Sequence, residues 1–162
     1  MQKILMQEAT TANEIVAAKV NDLLADVFVL FVKTKNFHWH VHGPLFREYH
    51  LMFDDHAAQI FAMIDDLAER CRKLGQPTLR SLEEITRRRQ LTENNETDVR
   101  PTDMIAELRS DNERLCRRLE ETHAVCDQYN DVATASLIEN WIDETERRVW
   151  FLAETMRDVP RA

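Results

Sequence analysis

Apolar residues recur every three or four positions along most of this chain, and long stretches hold no residue that would end a helix. Ile15, Val16, Val20, Leu23, Leu24, Val27, Phe28 and Phe31 form one such stripe, with the spacing of an amphipathic helix. Thr11-Ala-Asn-Glu14 has the form of a capping box and predicts that this helix opens there. Gly43-Pro44 closes the region. After a short turn, Phe46 to Lys73 holds neither Gly nor Pro and reads as one unbroken helix, stopped by Gly75-Gln-Pro77. Residues 78–100 are polar and predict a long connection with a short helix at Leu82–Thr86. Pro101-Thr102-Asp103 opens a third long helix, with Leu108, Leu115 and Leu119 as its core stripe. Tyr129-Asn-Asp131 marks a break. A fourth long helix carries Leu137, Ile138, Trp141, Val149, Trp150 and Met156, with Pro160 beyond its end. The stripe assigns Trp141 and Trp150 to the core.

Four long helices with one long link in the middle predict an all-α, up-down-down-up bundle whose central link runs the length of the bundle. With two Gly and four Pro in 162 residues, 44% apolar and 31% charged, the composition favours long helices over sheets. The length suits one domain, residues 1–162, with a proper core. A net charge of −8 argues against general affinity for nucleic acid. No apolar run is long enough to span a membrane, and the opening MQKILMQEATTANE lacks the apolar core of a signal peptide. Cys71, Cys116 and Cys126 are odd in number and without zinc spacing, so they read as buried, reduced thiols in a cytoplasmic protein.

Within the Phe46–Lys73 helix stand His50, Asp54, Asp65 and Glu69, all metal-ligand types, in two pairs spaced i,i+4. At ~100° per residue they fall in a stripe roughly 100° wide on one face. Asp54 and Asp65 are ~16 Å apart along the axis, too far to share a metal within one helix. The outer pair and the inner pair, however, are centred on one point, between Gln59 and Ile60. An antiparallel copy of the helix crossing there sets His50 and Asp54 against Glu69 and Asp65 of the partner. A two-fold interface would then carry two identical metal sites, each built from two subunits.

Lys35-Asn-Phe-His-Trp-His-Val-His-Gly43, followed by Phe46, His50, Asp54, Asp65 and Ala68-Glu69-Arg70, closely resembles the Dps family, the DNA-binding proteins from starved cells or mini-ferritins. His-Trp before Gly, His-x-x-x-Asp and Asp-x-x-x-Glu-Arg all stand at the family's spacing, and Trp150-Phe151-Leu152 near the end adds to the likeness. The resemblance implies a ferritin-like four-helix bundle with a short extra helix in the connection between its second and third long helices. It implies a hollow dodecamer with ferroxidase centres at its two-fold interfaces. Each centre would take His38, His50 and Asp54 from one subunit and Asp65 and Glu69 from the other. Such centres oxidise Fe(II), characteristically with hydrogen peroxide, and the ferric product is stored as mineral; whether one iron or two occupy a centre stays open.

Mixed imidazole and carboxylate donors suit iron: Fe(II) accepts both, and Fe(III) prefers oxygen. Peroxide takes up two electrons, so two irons sharing a centre would avoid releasing hydroxyl radical. Trp39, beside His38, either packs in a core or interface or intercepts stray oxidising equivalents. His40 and His42 continue a His-x-His-x-His tract. On a helix its members differ by ~200°, so a second metal site there requires the helix to loosen. His56 lies off the ligand stripe and reads as structural, as does His123. Asp131, Glu139, Asp143, Glu144 and Glu146 give the fourth helix an acidic surface. In the family, acidic pores near this helix admit iron, but Ser136 stands here where an Asp is common.

Family members that bind DNA often use a Lys/Arg-rich tail. The first thirty residues here have only Lys3 and Lys19 as basic groups, and the other end only Arg157 and Arg161. Arg87-Arg88-Arg89 is the one basic cluster. The expectation is an iron-oxidising, iron-storing mini-ferritin with weak or absent DNA binding. The alternatives are a nucleoid-compacting DNA-binding protein with secondary iron chemistry, which a basic tail would favour, and a purely structural helical oligomer.

Overall fold

The computed structural model describes residues 2–157, with side chains from residue 11 onward. Five helices follow one another: α1 (Gln2–His40), α2 (Phe46–Lys73), α3 (Leu82–Arg88), α4 (Pro101–Gln128) and α5 (Val132–Thr155). The side chain of Lys3, together with Pro160 and Arg161, lies outside the described residues.

The helix ends follow local chemistry. Gly43 has φ +97° and Phe46 N–H donates to its carbonyl, which turns the chain from α1 into α2. At the far end of α2, Gly75 takes φ +77°, and Gly75 and Gln76 N–H return to the carbonyls of Arg72 and Cys71. Asn130 at φ 57° does the same service after α4. Asp131 then caps α5 by accepting from Thr134 N–H. Ser81 caps α3, which runs to Arg88, two residues past the expected Thr86.

The expected start of the first helix is corrected. The helix begins at Gln2 and runs through Thr11-Ala-Asn-Glu14. No Gly or Pro lies before Gly43 to interrupt it, so a capping box does not terminate a chain that can propagate on both sides.

α1 lies along α2, α4 along α5, and α1 also packs on α4, while α2 and α5 touch lightly. Val16, Val20, Leu23, Leu24, Phe53, Ile60, Leu67, Leu108, Leu115, Leu119, Ile138 and Leu152 fill the core between them. Trp141 is buried as expected, but Trp150 is 60% exposed. The positions that face the core at the end of α5 are Thr145, Arg148 and Leu152, a stripe that Trp150 misses by about 160° from Leu152. Cys71 and Cys126 are buried free thiols, whereas Cys116 is only half-buried. Burial pushes Cys71 up to about 11 and Cys126 up to about 12, and raises Cys116 as well.

The long connection is anchored by buried polar groups. Asp26 is fully buried, ion-paired with Arg118 at 3.0 Å, and accepts from Gln90 N–H (2.6 Å) and Leu91 N–H (2.9 Å). Lys33 is buried between Glu107 (2.7 Å) and Asp111 (2.6 Å), and Asn94 donates to the other Glu107 oxygen. Asn21 holds Pro77 and Thr78. These bonds satisfy backbone and charge that would otherwise be costly to bury. Among the described residues no helix is long and apolar enough to cross a membrane.

Candidate metal centre

The first half of the ligand stripe is built by the antiparallel contact of α1 and α2. His38 from α1 and His50 from α2 stack with ring centroids 3.8 Å apart. His38 Nδ1 lies 2.8 Å from the His50 carbonyl, and His50 Nδ1 lies 2.8 Å from the His38 carbonyl. A carbonyl only accepts, so each Nδ1 carries the proton, and in the neutral ring each Nε2 keeps its lone pair for a metal. Both tautomers and both ring orientations are therefore fixed by backbone. His38 Nε2 stands 3.9 Å from Asp54 Oδ1.

Asp54 is one helical turn beyond His50 and open to solvent. Its Oδ1 accepts from Lys35 Nζ at 2.7 Å. That hydrogen bond, with smaller help from the Lys35 charge and the two imidazoles, holds the Asp54 carboxyl below the usual carboxylate range. The first half thus offers two oriented imidazoles and one ionised carboxylate, a donor set suited to non-haem Fe(II) with positions left open.

The second half is different. Asp65 and Glu69 are exposed on the same face of α2, and among the described residues Glu69 pairs only with Lys73, at 3.0 Å. Neither approaches the first three residues: among the described residues no group of three or more His, Cys, Asp or Glu is close enough to hold a metal within one chain. Between the halves the stripe is apolar. Phe61, 58% exposed, and the exposed Ala58 lie within it, at roughly 20° and 80° from His50 around the helix. Phe31 of α1 supports Phe61 at 5.2 Å between centroids. Helix α2 itself, Phe46–Lys73, is centred between Gln59 and Ile60, the point about which the ligand pairs are symmetric.

The remaining candidates are placed as follows. Trp39 is 63% exposed with Lys35 over its ring at 5.8 Å, so it is not a core residue. α1 stays helical through His40, whose Nδ1 bonds to the Asn36 carbonyl; His40 and His42 face solvent and do not join His38. His123 bridges Asp127 and Glu139, a structural tie between α4 and α5. Asp131 is not a free acidic group: it is half-buried against Arg70 at 2.8 Å. Sequence reasoning missed Lys35 as the partner of Asp54. Its i,i+3 relation to His38 on α1 is the signal that would have placed it on the same face.

Residues 17–162 match the ferritin-like domain family. The chain is 34% identical over 142 residues to an uncharacterized low temperature-induced protein of Nostoc, spanning 87% of this chain and 79% of the other. It is 30% identical to DNA protection during starvation protein 1 of Deinococcus radiodurans, over 88% of this chain and 69% of that one. Among solved structures, a Dps protein from Vibrio cholerae O1, described as a member of a broad superfamily of ferritin-like diiron-carboxylate proteins, superposes with TM-score 0.87 at 25% identity, over 91% of this chain and 92% of that one. The chain belongs to the ferritin-like family, and within it to the Dps mini-ferritins.

Proposed function

We propose that this protein oxidises Fe(II) with hydrogen peroxide at centres shared by two subunits and stores the ferric product inside a closed homo-oligomer of twelve chains. The observation that carries this reading is the paired geometry of His38 and His50, whose Nδ1 atoms are both spent on backbone carbonyls. Such rings are held for a metal at Nε2. Iron is the substrate: two Fe(II) ions each give one electron, the O–O bond of peroxide breaks to the oxidation level of water, and no radical leaves.

The other ligands come from the partner. An antiparallel copy of α2 crossing at its centre puts Asp65 and Glu69 beside the partner's imidazoles. The same register sets each Ala58 against a Phe61, large against small, at the middle of the contact. An exposed aromatic ring inside a stripe of ligands is what such an interface would bury.

Protection of DNA follows from the chemistry and not from coating. Arg88 is paired with Asp22 at 2.9 Å, and Arg89 is spent on the Leu91 carbonyl and on Glu93. Of the basic cluster this leaves Arg87, on a chain of net charge −8.

The test is anaerobic Fe(II) titration followed by peroxide, with iron uptake and oxidation followed together. His50→Ala and Glu69→Ala proteins should each be inactive. Dissociated and reassembled together, they should regain part of the activity, because a mixed dimer holds one intact centre and one doubly broken one. Absence of recovery in properly mixed assemblies rules out a shared centre. Plasmid should show little retardation by iron-free protein, yet survive Fe(II) and peroxide. That survival should disappear in Asp65→Ala plus Glu69→Ala.

A further inference from the structure

The bundle holds a buried cation that the iron chemistry does not use. Arg148 of α5 is fully buried, and its hydrogen-bond partners are all neutral. Its Nε donates to Asn112 Oδ1 (2.9 Å), Nη2 to Thr145 Oγ1 (2.8 Å) and Nη1 to Gln59 Oε1 (3.5 Å). No carboxylate among the described residues lies within ion-pair reach. The contrast with Lys33, which is buried between two carboxylates, is direct. Burial brings Arg148 down only to about 10, so it stays charged at neutral pH. Glu144, one turn earlier on α5, offsets this buried charge only in part, and a guanidinium has five N–H groups of which these contacts use three.

Arg148 forms part of the floor of a groove of about 390 Å³ between α2 and α5. His56, also in the groove lining, is buried, and its Nδ1 has no hydrogen-bond partner. Arg47 and Arg147 stand at the exposed rim and make no ion pair; Arg147 lies over Phe151 at 5.4 Å. Glu48 and Asp55 also line the groove, so three arginines face two carboxylates and a neutral imidazole. The positive charge is at the bottom, where water is scarce and an anion gains most.

We infer that this groove binds a small oxyanion, inorganic phosphate, with Arg148 and His56 beneath it and Arg47 and Arg147 closing over it. Phosphate at neutral pH offers both acceptor oxygens and an O–H. It can therefore accept from Arg47 and Arg147 at the rim and turn its O–H toward the edge of the His56 ring, while the charge of Arg148, closed off from water, draws it down from below. The groove faces about a quarter turn around α2 from the ligand stripe. If iron is oxidised on that stripe, bound phosphate is a nearby counter-ion for ferric product; that role rests on the proposed function, whereas the binding itself does not.

The experiment is equilibrium dialysis of iron-free protein with radiolabelled inorganic phosphate, in the absence of peroxide. Its failure leaves the iron-oxidation assays untouched, and their failure leaves it untouched. One saturable phosphate per chain is expected. Arg47→Gln plus Arg147→Gln, at exposed positions that leave the fold intact, should weaken it about tenfold or more, and His56→Leu should weaken it also. No saturable binding, or equal binding in the rim double variant, overturns the proposal. If His56→Leu does not fold, the rim variant decides.

Discussion

The two ends of the ligand stripe on α2 are not equivalent. At the first end, α1 lies against α2, and His50 and Asp54 are met by His38, Lys35 and two backbone carbonyls. At the other end, Asp65 and Glu69 are exposed, and among the described residues only Lys73 pairs with either of them. The first end is organised by its own fold; at the second, no described side chain except Lys73 bonds either carboxylate. A catalytic set wants its donors fixed before the metal enters. On the proposed reading, assembly is part of the site: imidazoles oriented by backbone carbonyls would meet exposed carboxylates of a second chain.

The strongest way to break this comparison is to remove the contact and keep all five donors. Phe61→Asp puts a carboxylate at the apolar middle of the stripe, where the proposed register would set it against a second copy of α2. Sedimentation should show loss of the assembly, circular dichroism should keep its helical signal, and peroxide-driven Fe(II) oxidation should fall on the order of 100-fold, the scale of losing half a ligand set. Full activity in a dissociated chain would mean that one chain builds the centre alone.

Acid sharpens the comparison by separating the fold from the ligands. His56 sits on the opposite side of α2 from the stripe, and burial, with the charges of Arg148 and Arg147, pushes it from its ordinary value near 6.5 down to about 4. Its folded form resists protonation, so the unfolded chain binds more protons between those values. Stability is therefore unaffected above about pH 6.5 and falls as pH drops toward 4, by roughly 3 kcal/mol per chain at most. Chemical denaturation of wild type and His56→Gln at pH 7 and pH 4.5 measures it: the acid loss should shrink in the variant. If both lose equal stability, other groups carry the acid sensitivity and His56 is not the one.

What could be read in advance follows from what punctuates a helix. Gly43-Pro44, Gly75-Gln-Pro77 and Pro101 marked the ends of α1, α2 and the start of α4 because each blocks or redirects the backbone hydrogen-bond ladder. The end-to-end symmetry of His50, Asp54, Asp65 and Glu69 was legible because a helix has a fixed repeat. The buried polar groups were not. Asp26 and Lys33 lie on the core side of α1, and His56 and Arg148 on the core stripes of α2 and α5, where their spacing says buried while their chemistry says exposed. Only the partners decide, and these lie far along the chain: Arg118 and Leu91 for Asp26, Asn112 for Arg148. Trp150 failed for the opposite reason, a large apolar residue at a position the helix turns outward.

The smallest effect tests Lys35, the residue that makes the organised half ready and also holds it closed. Its ammonium bonds the same Asp54 oxygen that stands 3.9 Å from His38 Nε2, so on the proposed reading it competes with Fe(II) for that oxygen. The pair is exposed, and such pairs are weak in water, so the competition is mild. Lys35→Met keeps the apolar stem against Trp39 and removes the charge. Anaerobic titration with Fe(II) should then show binding a few-fold tighter, because nothing competes for Asp54. At the same time the Asp54 carboxyl should lose the influence that holds it low, and the gain should shrink when the titration is repeated in mild acid. If Lys35→Met binds iron more weakly at every pH, the lysine serves to aim Asp54 at the metal. The organised half would then need its cation as much as its imidazoles.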